Sequence, residues 1–534
     1  MKKAFVNGKF YVEKGCFAQA VLIEDDKFVL VGTNEEIRAA AGDAEVFDCG
    51  GKTVIPGIND SHCHVIYVAI TQSYVQIMGS RSIDEVIERG RQFLKDHPKA
   101  KGLRGMGWNV VDFVEGEQRN LTRHDLDKIS TEIPINFQRA CGHMNVFNTK
   151  ALELAGVDEN TAQVEGGVFE VEENGYPNGR FCETAKDLVA HVVPEPTLEE
   201  VTENFYKVMD YSASRGITSA QSNDPGQFMT YGEIYGLLHK VHDAGDMKIR
   251  YHAQSLFHSV EEFEQYLETE GKDPRYDDVL SFGPLKLLKD GSIGGHSALM
   301  REPYLDVPDS VGVSVLTDEQ LDAFCEAADK HNVQVVTHCI GDGAVQNLID
   351  HYAKVLRDGK NPLRHGIVHC QIMDRGMMEQ LAKYQILALE QPIFLSSDMH
   401  ALATRIPESL ARTSNAYRSM MELGIPQSFG TDAPVEDLNP FPNIYSAVTR
   451  KDMHGYPEGG YYPEECLTVE EALDFYTIGS AHAQFMEDRK GRIKPGYYAD
   501  MAMLSKDIFT CDVEEIKGIT SELTVMGGKV TFQA

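Results

Sequence analysis

Two histidines one residue apart, His62 and His64, follow the apolar approach Val54-Ile55-Pro56-Gly57-Ile58, and they constrain this chain more than any other feature. In a β-strand alternate side chains share a face, so the pair projects the same way and two ring nitrogens can grip one cation. A lone His-x-His carries little weight, because histidines also fill cores and surfaces. Three later runs add to it: Val333-Gln334-Val335-Val336-Thr337-His338, His365-Gly366-Ile367-Val368-His369 and Ile425-Pro426-Gln427-Ser428-Phe429-Gly430-Thr431-Asp432. Each is short, rich in Val, Ile, Phe or Thr, ends in a residue able to bind metal, and is separated from the next by enough chain for a helix. That alternation is the pattern of an α/β protein with a TIM (β/α)8 barrel, in which the C-terminal strand ends meet at one mouth. Taken singly, His338 or His369 reads as a hydrogen-bonded core histidine and Asp432 as a helix N-cap. Together they read as one site.

A fifth run, Gly283-Pro284-Leu285-Lys286-Leu287-Leu288-Lys289-Asp290-Gly291-Ser292, places lysines at the end of an apolar strand. An isolated ammonium there would cost several kcal/mol, so a lysine in this place must be paired, neutral or chemically changed. Carbon dioxide adds to a neutral lysine amine to give a carbamate, an anion able to bridge two cations. The competing reading for either lysine is a snorkelling or salt-bridged side chain.

These motifs resemble the amidohydrolase superfamily, and within it the YtcJ-like amidohydrolase family 3 that includes N-substituted formamide deformylases. The resemblance runs nearly end to end through Pro56 to His64, Gly107-Trp108-Asn109, Gly142 to Leu152, Lys286 to Gly294, Thr337-His338, Val368-His369, Gly430 to Val435 and Asn439-Pro440. It implies a distorted barrel with a small β-sandwich built from both chain ends. It further implies that His62, His64, His338, His369 and Asp432 are metal ligands, and it selects Lys286 over Lys289 as the bridging lysine. Two departures bear on substrate. His296 stands where relatives often carry Arg, and Phe394 stands where they carry His after Gln-Pro, so both positions are expected to contact substrate. Trp108, the only tryptophan, and His143 are expected to line the pocket.

At 534 residues the chain exceeds the roughly 250 of a bare barrel. The excess fits a composite β-sandwich over 1–55 and 489–534, a barrel over 56–488, and an inserted subdomain within about 70–200, since the gap from His64 to Lys286 is too long for one or two βα units. Asn7-Gly8 and Gly50-Gly51 mark turns in the first segment. A formal charge of -32 disfavours nucleic acid and anionic membrane surfaces as partners, leaving a small molecule, with homo-oligomerisation open. The first residues lack an apolar stretch and no run approaches a membrane span, so a cytoplasmic location is expected. Ten cysteines without paired spacing suit reduced thiols. Cys63, Cys339 and Cys370 adjoin the candidate ligands, but neighbours on a strand face opposite ways and are not assigned to metal.

The ligand types point to hydrolysis assisted by one or two divalent ions, zinc being the expected metal, which lowers the pKa of water from about 15.7 towards about 7. Asp432 would carry the proton to a leaving nitrogen, and His143 would assist the developing oxyanion. A non-peptide C–N bond in an amide, formamide or cyclic amide is the expected target. An ester, a lactone or a deaminated ring on the same scaffold, and a non-catalytic binding protein, are the alternatives.

Overall fold

Eight short, largely buried runs line up as parallel strands in one sheet. In chain order they are β1 Ile58–Cys63, β2 Ile217–Ser222, β3 Arg250–Leu256, β4 Leu280–Leu288, β5 Val335–Cys339, β6 Gly366–His369, β7 Leu387–Glu390 and β8 Gln427–Phe429. This computed structural model describes residues 2–139, 144–164, 167–227 and 229–534. It divides into two compact units, Met1–Val65 with Tyr206–Ala534, and Ile66–Phe205.

Helices follow the strands of the first unit: α1 Tyr231–Asp243, α2 Val260–Glu268, α3 Asp318–His331, α4 Asp342–Val355, α5 Arg375–Tyr384, α6 Phe394–Arg405 and α7 Pro440–Thr449. Their starts are set locally. Thr230, Ser259, Thr317 and Asp374 each turn a side-chain oxygen to the third amide of the helix that follows, satisfying a donor the helix leaves open. Parallel register then places Leu288 opposite His338 and Cys339 opposite His369, so the strands deliver their ends side by side.

The barrel closes between its first and last strands. Asp432 N donates to His62 O at 2.8 Å and His64 N to Ala433 O at 2.8 Å, while Asp60 accepts from Thr431 N at 3.1 Å and Thr431 Oγ1 at 2.6 Å. Gly430 is required here, because a Cβ at this residue would lie 2.5 Å from His62 N.

Two smaller sheets complete the first unit. One has four strands in the order Lys27–Gly32, Ala20–Glu24, Lys2–Val6, Glu45–Asp48. The other has six and mixes the chain ends: Lys529–Gln533, Ser521–Met526, Met501–Leu504, Thr53–Pro56, Lys9–Glu13, Cys16–Ala18. Phe5, Phe10, Val21, Phe28, Val54, Met501 and Val525 bury a shared core between the sheets. Arg250 of β3 ties this region to the barrel through two bonds to Asp500, at 2.8 and 3.0 Å, both side chains being buried. Asp500→Ala would strand a buried guanidinium, and the expected loss of stability is about 3–5 kcal/mol. Urea unfolding measures it, and a loss below about 1 kcal/mol would show that the pair does not hold the two parts together.

The second unit, Ile66–Phe205, carries its own six-stranded sheet in the order Gly167–Val171, Pro177–Glu183, Met144–Phe147, Ile135–Arg139, Leu103–Trp108, Val75–Gln76. Helix Ile83–Asp96 contributes Ile83, Val86 and Ile87 to a core that also holds Ile77, Leu126 and Phe137. No helix among the described residues is long and apolar enough to cross a membrane.

Candidate metal centre

Closure of the barrel brings the histidine pair at the end of β1 to Asp432, three residues past β8. Asp432 Oδ1 lies 3.4 Å from His62 Nε2 and 3.1 Å from His64 Nε2, and the three buried ligand atoms all fall within 4.8 Å of one another. The ring of His369, at the end of β6, stands edge-on to His62 with centroids 6.0 Å apart. His338 of β5 stands edge-on to His369 at 4.4 Å. All four histidines and Asp432 predicted as ligands therefore meet at one end of the barrel. His369 and Asp432 hold left-handed backbone, with φ of 72° and 57°, a conformation that costs energy in non-glycine residues and recurs where a side chain must be aimed.

The two lysines separate. Lys289 turns away to Leu316 O at 2.7 Å and Asp318 at 3.3 Å. Lys286, almost wholly buried, reaches only Leu287 O, at 3.3 Å, among the described residues, and burial pushes its ammonium down to about 8. Its charge acts on His62 and His338, which places it beside the ring cluster.

Electrostatics favour neutral imidazoles at His62, His338 and His369, beside an ionised Asp432. Burial, reinforced by Lys286, holds His62 well below its ordinary value and His338 down to about 4. His369 is lowered by burial and then by His338. Burial opposes charge on both His64 and Asp432, yet their mutual hydrogen bond and attraction win, raising the first and lowering the second. Neutral imidazole and ionised carboxylate are the ligand forms that zinc and related divalent ions take. His369 Nδ1 is also buried with no hydrogen-bond partner among the described residues. The residues present fit a divalent ion.

The remaining predicted residues are spread out. Phe394 opens α6 and stacks on His369 with ring centroids 5.5 Å apart, so it forms a wall of the centre. His296 sits on the loop after β4, bonded to Asp306 at 2.9 Å and packed on Tyr304, and no contact joins it to the four histidines among the described residues. Trp108, expected to line the pocket, has its ring fully buried in the core of the second unit, where it stacks on Phe113. Its size and apolar area drive it there, as for most large aromatics. His143 lies outside the described residues. Cys63, Cys339 and Cys370 are buried free thiols, pushed well up by burial, as expected of side chains facing away from the centre.

Several participants were missed. Asp60 and Asp290 sit inside motifs that drew attention for other residues. Asp290 accepts from Leu299, Ile340 and Gly341 amides at 2.9, 3.0 and 2.8 Å and lies 3.4 Å from His338 Nε2. Gln254, on β3, bonds His62; polar residues at alternate positions of a fully buried strand, His252 and Gln254, were the available signal. In a second cluster, His239, Glu270 and Asp273, Arg275 takes Asp273 through two bonds and Tyr276 joins His239 on Glu270, while His239 Nδ1 is buried without a hydrogen-bond partner among the described residues.

Comparison with known proteins agrees with this architecture. The model of the amidohydrolase family matches residues 45–532. The chain belongs to the amidohydrolase family. It is 30% identical to a putative amidohydrolase YtcJ of Bacillus subtilis over the full length of both. It is 26% identical to the N-substituted formamide deformylase of Arthrobacter pascens, covering 97% of this chain and 95% of that protein. Among solved structures, a metal-dependent hydrolase of Pyrococcus horikoshii aligns with a TM-score of 0.79 at 24% identity, covering 96% of this chain and 99% of that one, a likeness of fold.

Proposed function

We propose that this protein is a metal-dependent hydrolase that cleaves a non-peptide C–N bond of a small molecule, an amide, formamide or cyclic amide. The observation that carries the proposal is the convergence of His62, His64 and Asp432 on one point beside His369 and His338. His62, His64, His338, His369 and Asp432 would hold one or two ions, with Lys286 as a further ligand. When bound, a divalent ion of this kind, zinc by ligand type, supplies Lewis acidity and an acidified water.

The residues of the chain do the rest. Asp432, held by its backbone bond to His62 O, accepts the proton of the attacking water at a carboxylate oxygen and returns it to the leaving nitrogen. Phe394 covers one side of His369 and keeps that wall apolar. The full-length likeness to a formamide deformylase supports C–N over ester chemistry. Nine described cysteines, all free thiols, suit the reducing cytosol where we place the reaction.

A zinc-loaded preparation offered N-substituted formamides, secondary and cyclic amides, esters, lactones and aminated rings tests this reading. Turnover is expected among the amides and formamides. Turnover confined to esters, lactones or ring amines, or none by a metal-loaded protein, would overturn it.

Lys286 is expected to carry a carbamate bridging two ions, because its buried amine makes no ion pair with a carboxylate among the described residues. Crystals grown with metal and bicarbonate should show the extra carboxyl density. A plain amine there would make the centre mononuclear or otherwise bridged.

A further inference from the structure

His62 of β1 and His64 just past it are oriented by two neighbouring residues. His62 Nδ1 bonds Gln254 Oε1 at 2.7 Å, and His64 Nδ1 bonds the main-chain carbonyl of Asn223. The two residues that carry these acceptors are joined through other atoms, Asn223 Nδ2 donating to the Gln254 main-chain oxygen at 2.8 Å. Gln254 and Asn223 are both fully buried.

The direction of the first bond can be assigned. The Gln254 amide touches two groups, the His62 ring and Ser61 O, the latter 3.0 Å from Nε2. A carbonyl only accepts, so the nitrogen of the amide must face Ser61 and the oxygen must face His62. His62 Nδ1 therefore carries the hydrogen, and the lone pair lies on Nε2, the atom 3.4 Å from Asp432 Oδ1. The carbonyl of Asn223 likewise takes a hydrogen from His64 Nδ1, and His64 Nε2 is hydrogen-bonded to the same Asp432 oxygen at 3.1 Å.

We propose that Gln254 is a positioning residue that fixes His62 in the tautomer and ring orientation needed to bind metal through Nε2. It touches neither substrate nor ion and acts through His62. The inference rests on the reading of the site as a metal centre. It extends that reading to a strand, β3, that supplies none of the candidate ligands. Partners of this kind on metal-binding histidines typically change metal affinity 10- to 100-fold when removed.

The test compares the parent with Gln254→Met, which keeps length and packing but loses the acceptor, and Gln254→Glu, which restores an oxygen opposite Nδ1. Zinc affinity of the metal-free proteins is measured by competition with a chromophoric chelator, the visible spectrum of the cobalt(II) forms reports ligand geometry, and thermal unfolding without metal reports packing. Gln254→Met should lose about 10- to 100-fold in zinc affinity and alter the cobalt spectrum. Gln254→Glu should keep more of the affinity than Gln254→Met. Zinc bound by Gln254→Met within twofold of the parent with an unchanged cobalt spectrum, or Gln254→Glu falling as far as Gln254→Met, would overturn the proposal. Should Gln254→Met not fold, Gln254→Glu decides alone: affinity within tenfold of the parent and the parental spectrum support the role, and a greater loss refutes it. A parent that binds no metal would refute instead the reading of the centre itself.

Discussion

Asp432→Asn is expected to lower kcat by about a hundredfold or more on a verified substrate, the scale of losing a general acid-base group. Asparagine keeps the size of the side chain and an oxygen that can face the histidines, while the backbone bond from residue 432 to His62 O does not depend on the side chain at all. What disappears is basicity. The loss should therefore appear in kcat with protein and metal content matched, and metal occupancy should fall less than activity. Turnover within a few-fold of the parent at equal metal would show that Asp432 is not the proton carrier.

The other large effect is on metal itself. His62→Ala and His338→Ala remove imidazoles from opposite ends of the connected set formed by His62, His369 and His338, whose rings lie 6.0 and 4.4 Å apart in sequence of contact. Each should weaken binding beyond the 10- to 100-fold that an outer partner costs, leaving the variants largely metal-free after dialysis. They should also lose the stabilisation by added zinc that mass action gives the parent, while their melting temperatures without metal stay near that of the metal-free parent. Elemental analysis and thermal unfolding with and without zinc check this. Stoichiometric metal retained in both variants would remove the assignment.

What the sequence disclosed about this centre is what strand geometry makes periodic. His62, Lys286, His338 and His369 could be placed because each lies on or at the end of a short apolar run, and Asp432 because it follows one by three residues. The β-rich character of both chain ends was readable for the same reason, and the pairing of Met501–Leu504 with Thr53–Pro56 realises it. Residues whose role depends on which surfaces meet left no such mark. Trp108 looks like a recognition aromatic in one dimension and is core in three. His296 finds its carboxylate ten residues away on the same loop. Gln254 is a single polar residue in a strand, and nothing local says that it faces a histidine 192 positions earlier.

The seam between β1 and β8 also bears on how the protein matures. Residues 60–64 and 430–433 are stitched directly to each other, through Asp60 with Thr431, His62 with Asp432 and His64 with Ala433. Such distant contacts form late, because a chain must first order what lies between them. A nascent or truncated polypeptide ending before β8 would have the histidine pair but neither the carboxylate nor the fixed spacing around it. Capacity to hold a metal would then serve as a marker of a finished barrel, arising only when the last strand docks against the first.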